Sequence, residues 1–137
     1  MIKSACVAVS AAALVAFSVV AAEKAPDSFS NLMKANGAAM QSIGKAADSK
    51  DYDSIAKTAA TLQANFQEIG KFWTARKDDE ALKHCTAAFK ASSDLAAAAK
   101  AMNDGGIAES RKALGSACAG CHTAKREKLP DGSFQIK

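Results

Sequence analysis

Cys118-Ala119-Gly120-Cys121-His122 is the segment of this chain whose residue types and spacing point most directly to chemistry. Two thiols separated by two small residues can add to two vinyl groups on one edge of a porphyrin. The adjoining imidazole can then reach the iron from one side. On a helix, positions i, i+3 and i+4 share a face, and Cys118, Cys121 and His122 have that spacing. Ala119 and Gly120 place nothing bulky between the thiols and the ring edge. The segment reads as the attachment site of one covalent haem c, with thioethers from Cys118 and Cys121 and His122 as an axial iron ligand.

Three other uses of a CxxC compete. A thioredoxin-type redox pair calls for a βαβ setting, and no such pattern surrounds it. A zinc site needs further ligands, and His84 and Cys85 are adjacent, so they point to different helix faces. A structural disulfide suits an oxidising compartment. The attached histidine, an export signal and a helical context favour haem. Of the other two cysteines, Cys6 leaves with that export signal, and Cys85 falls on an apolar stripe, where a buried, inert thiol is expected. His84 lies off that stripe and is expected at the surface.

These residues must be positioned by helices, since strand formers are sparse and alanine is abundant. A first helix is expected from about Pro26, which suits a first turn, to Ala47, with Phe29, Met33, Met40 and Ile43 on one face. After Asp48-Ser49-Lys50-Asp51, a second runs to about Phe72. Its stripe is Ile55, Ala59, Leu62, Phe66, Ile69 and Trp73, with the core or the haem edge as the packing partner of Trp73. A third begins at Asp78-Asp79-Glu80, favourable at a helix N-terminus, carries Leu82, Cys85, Phe89 and Ala96, and fades near Asn103. Asp104-Gly105-Gly106 reads as a turn. A fourth helix is expected from Ile107 to about Lys128, ended by Pro130 and Gly132 and followed by a polar tail. Four such helices with short connections predict an all-α, antiparallel up-down-up-down four-helix bundle over residues 23–137.

Residues 1–22 read differently. Lys3 precedes an apolar run from about Ala5 to Val20, and Val20-Ala21-Ala22 offers small residues before Glu23. This is the layout of a cleaved secretory signal peptide, too short for a spanning helix of ~20 apolar residues. Cleavage near Ala22 implies a periplasmic protein without stable membrane insertion. It removes one basic residue and no acidic one, so the net charge falls from +4 to +3. So mild an excess argues against nucleic acid as a partner.

An exported four-helix chain with a single CxxCH near its C-terminus resembles the class II cytochromes c, the cytochrome c prime family, over residues 23–137. The resemblance implies that Arg126, four residues after His122, lies near the haem propionates. An aromatic residue commonly precedes that Arg in the family, and Lys125 stands there instead, which opens or repacks the haem edge. Leu32-Met33-Lys34-Ala35-Asn36-Gly37-Ala38-Ala39-Met40 is similar to the low-spin branch of the family. There Met33 aligns with the second axial ligand and Gly37, one turn on, leaves room for the ring. Met40 is the substitute candidate, and both methionines also suit a plain core role.

The function implied is electron transfer to and from redox partner proteins, without catalysis, because two filled axial positions leave no open site for substrate. The alternative is a five-coordinate, gas-binding cytochrome c prime that takes nitric oxide or carbon monoxide. A thiol-disulfide enzyme is the third reading. Family members include homodimers joined through their first two helices as well as monomers.

Overall fold

The computed structural model describes residues 23–137, so the export segment lies outside the described residues. Four helices, α1 (Asp27–Asp48), α2 (Tyr52–Ala75), α3 (Asp79–Lys100) and α4 (Asp104–Lys125), form an antiparallel four-helix bundle. None of them is long and apolar enough to cross a membrane.

The three connections repeat one design. Each is three residues long: Ser49-Lys50-Asp51, Arg76-Lys77-Asp78 and Ala101-Met102-Asn103. The middle residue takes a left-handed φ of 56°, 56° and 51° at Lys50, Lys77 and Met102. In each, the third residue's amide donates back to a carbonyl of the preceding helix, to Ala46 at 2.8 Å, Trp73 at 3.2 Å and Ala98 at 2.9 Å. This satisfies carbonyls that a helix end leaves orphaned. The same third residue then caps the next helix. Its side-chain oxygen accepts from the amide of Ser54, Ala81 or Gly106 at 3.0 Å in all three cases. One Asp or Asn thus ends one helix and starts the next, and Asp104-Gly105-Gly106 lies inside the first turn of α4 instead of forming the turn.

The core follows the sequence stripes. Ile55, Ala59, Leu62, Phe66, Ile69 and Trp73 of α2 are all buried. On α1, Phe29 and Ile43 are buried, while Met33 and Met40 are only half-buried against that core. The inner face of α3 is largely of small residues, among them Ala81, Ala88, Ala91, Ser92 and Ala99. That face lets α3 approach both α2 and α4 closely, and α2 also packs on α1. By contrast α1 and α4, which close the ring of helices, barely touch.

Two sequence expectations are corrected. α4 ends at Lys125, not near Lys128, and the segment after it is not a plain polar tail. Arg126–Lys128 (β2) and Phe134–Ile136 (β3) form an antiparallel hairpin, and Glu23–Lys24 (β1) pairs with the outer edge of β3, giving the order β1-β3-β2. Leu129-Pro130-Asp131-Gly132 makes its turn: the Gly132 amide donates to the Leu129 carbonyl at 2.9 Å, and Gly132 has a φ of 85°. Pro and Gly act here as hairpin-turn residues and not merely as helix stops. Ile136 supplies the physical reason, since it points into the core and is buried there.

Candidate functional site

The separation of α1 from α4 leaves room at one end of the bundle. At the other end the helices are tied together. Lys50 and Tyr52 both reach Asp104 at 2.9 Å, and the Arg111 guanidinium lies against Gly44. At the open end lie two adjoining cavities, of about 150 Å³ and about 600 Å³. Met33 and Gly37 from α1 and Cys121 and His122 from α4 line both of them. Cys118 and Met40 line the inner cavity alone, and Arg126 lines the outer cleft alone. Antiparallel packing therefore brings the start of α1 to the end of α4, and five of the six residues singled out in the sequence meet at the inner cavity.

Cys118, Cys121 and His122 stay within continuous α-helix and are half-buried. Burial raises the Cys118 thiol above its ordinary value. Burial, then the neighbouring Cys118, pushes Cys121 up to about 11. Both thiols are thus held protonated at neutral pH, opposite to the lowered values that make a redox CxxC nucleophilic. Burial and the nearby Arg126 charge lower the His122 imidazole, which keeps it neutral with one ring nitrogen free as a lone-pair donor. Among the described residues no three His, Cys, Asp or Glu side chains converge as a metal-ion site, so the zinc reading gains no support.

The walls of the inner cavity are largely apolar. Leu62, Phe66, Ile69 and Ala117 join Met33 and Met40 around the inner cavity, and nothing would meet a side chain built on Gly37. Two buried side-chain nitrogens lack a hydrogen-bond partner among the described residues: Asn36 Nδ2 and Trp73 Nε1. Asn36 lines the inner cavity and accepts from Asn65 Nδ2 at 2.7 Å, and Trp73 lines the outer cleft. An unsatisfied buried donor costs about 1–3 kcal/mol, so its placement at a cavity wall points to a group that belongs there.

One residue stands differently from expectation. His84 is not at the surface. It is half-buried, lines the inner cavity, and lies so close to Gly120 that a Cβ there would come 2.5 Å from His84 Cε1. α3 packs against both α2 and α4, so its buried arc is wider than one stripe. Arg126 is exposed at the cleft mouth, its guanidinium 3.3 Å from the centroid of the Phe134 ring. Lys125 makes ion pairs beside the cleft, to Asp78 at 3.0 Å and Glu80 at 2.8 Å. Cys85 is buried as expected. Its Sγ donates to the Phe66 carbonyl at 3.0 Å, and burial pushes the thiol up to about 11.

The Asn36 and His84 contributions were hidden in the sequence. Asn36 sits three residues after Met33, a spacing that puts both on one helix face and was the available signal. The closing hairpin had a plainer one in Pro-Asp-Gly. Comparison with protein-family models, with curated proteins and with solved structures gives no match for this chain.

Proposed function

We propose that this protein is an exported electron carrier similar to the low-spin class II cytochromes c, holding one haem c through Cys118 and Cys121. The observation that carries the reading is the cleft between α1 and α4, lined from one side by Met33 and Gly37 and from the other by Cys121 and His122. The residues fit the group. The inner walls are apolar, both thiols are protonated for addition to vinyl carbons, and the imidazole is neutral. Two buried donors await acceptors.

When bound, the haem supplies a one-electron iron couple. The protein's part is to hold it still. His122 is fixed by α4 and Met33 by α1, so two rigid elements present a nitrogen and a sulfur donor. Little then has to rearrange between oxidation states, which suits rapid exchange with redox partner proteins. The raised thiol pKa values favour this reading over thiol-disulfide chemistry. Residues 1–22 act in it as the signal that sends the chain to the periplasm.

The optical spectrum of the reduced protein, with and without carbon monoxide, tests the ligand set. The expected result is a low-spin spectrum that carbon monoxide does not alter. Met33→Leu then gives a high-spin iron that binds the gas rapidly, and Met40→Leu changes little. Met33 lines both cavities and Met40 only the inner one. Rapid gas binding by the wild type favours the five-coordinate, gas-binding alternative.

A further inference from the structure

Trp73 is the only tryptophan of the chain. Its ring is 2% exposed and is wedged between Phe29 and Phe72, edge-on to both, at centroid distances of 5.6 Å and 4.9 Å. Phe72 is in turn covered by the Arg76 guanidinium, which pairs with Glu23 of β1. The indole is therefore held in one orientation, and it can only donate. Its Nε1 nevertheless has no acceptor. The cleft it lines carries four cationic side chains on a largely apolar wall, of which Lys125 is paired with Asp78 and Glu80. Lys24, Lys34 and Arg126 line the same cleft, and none of the three makes an ion pair among the described residues. Asp27 is the one carboxylate on that wall.

A fixed, unpartnered donor beside three uncompensated cations calls for an anionic acceptor. We infer that the Trp73 indole N–H, backed by Lys24, Lys34 and Arg126, anchors a carboxylate at the mouth of the α1–α4 cleft, and that this carboxylate is a propionate of the haem. The inference rests on the haem reading. It makes Trp73 a positioning residue that fixes the orientation of the ring by its polar edge, independently of the thioether and axial bonds. A hydrogen bond to the ionised form favours that form, so the anchor also keeps the propionate ionised to lower pH.

The test uses the haem-loaded protein with tryptophan labelled by ¹⁵N, which gives one indole signal. The expected indole proton shifts on reduction of the iron and titrates with the propionate. Trp73→Phe keeps an aromatic ring and removes only the N–H. It should retain its haem, while the pH at which the reduction potential bends moves upward, the propionate becoming roughly threefold to tenfold weaker as an acid. A role in packing alone would lower the melting temperature and leave that bend in place. An indole signal indifferent to oxidation state and pH overturns the inference even if the variant fails to fold. So does a Trp73→Phe profile that superimposes on the wild type. A protein recovered without covalent haem brings down the underlying reading, and its colourless state tells the two failures apart.

Discussion

Gly120 shows how a single residue of the CxxCH segment makes room for a neighbouring helix. It admits the His84 imidazole from α3. A methyl group there would lie 2.5 Å from His84 Cε1 and 2.8 Å from Nδ1, so the ring must swing out. Gly120→Ala is therefore expected to lower stability by about 1–2 kcal/mol, overpacking outweighing the gain in helix propensity. In a His84→Ala background the same change should be neutral or slightly stabilising. Thermal melts of the four proteins of this cycle measure the coupling. That the thiols, the imidazole and Met33 would line one cavity was legible in the sequence, because antiparallel order sets the start of α1 beside the end of α4. His84 was not. A histidine off one stripe reads as exposed unless the second helix covering it is known, and one sequence does not say which faces of α3 are shared.

At the scale of elements, the helices were legible because α2 keeps its four-three spacing from Ile55 to Trp73 with every member buried. Their ends were not, since the turns depend on left-handed backbone at Lys50, Lys77 and Met102, residue types that carry no turn signal. Such a conformation is strained for a residue with a Cβ. Lys77→Gly should relieve it and stabilise the protein by about 0.5–1 kcal/mol after the loss of unfolded-state entropy, as read by urea unfolding. A fall in stability would refute the shared turn design.

The Asp78–Lys125 contact joins the start of α3 to the end of α4 beside the site. Burial tends to raise the Asp78 carboxyl, but the Ala81 amide and Lys125 together bring it below its usual 3.8. Its contribution is present above that value and lost as the pH falls through the lowered one. Hydrogen bonding to Glu80 leads in raising Lys125 above 10.5, against the opposing effect of burial, so its contribution is lost only as the pH rises through the raised value. Lys125→Met is expected to cost about 1 kcal/mol near neutral pH. In urea unfolding, that difference should shrink as the pH falls through the lowered Asp78 value, below which Asp78 is protonated in both states.

Across the described residues, the first and last strands and two helix ends converge on one opening. The first described residues pair with the last strand, Ile136 closes into the core, and Arg126 covers Phe134 at the cleft mouth. The opposite end of the bundle is tied by Lys50, Tyr52 and Asp104. A bundle closed at one end and held open at the other would suit the haem proposed between α1 and α4, and Asn36 and Trp73, with their orphaned donors, line that opening. The most direct measurement is the mass of the protein after expression with its export segment, recovery from the periplasmic fraction and acid-acetone extraction. The expected result is a chain beginning near Glu23 that carries one haem, the colour staying with the protein, and Cys118→Ser or Cys121→Ser giving poorly loaded, unstable protein. Haem released into the solvent from mature protein, or a mass equal to the bare chain with both thiols free, would contradict it.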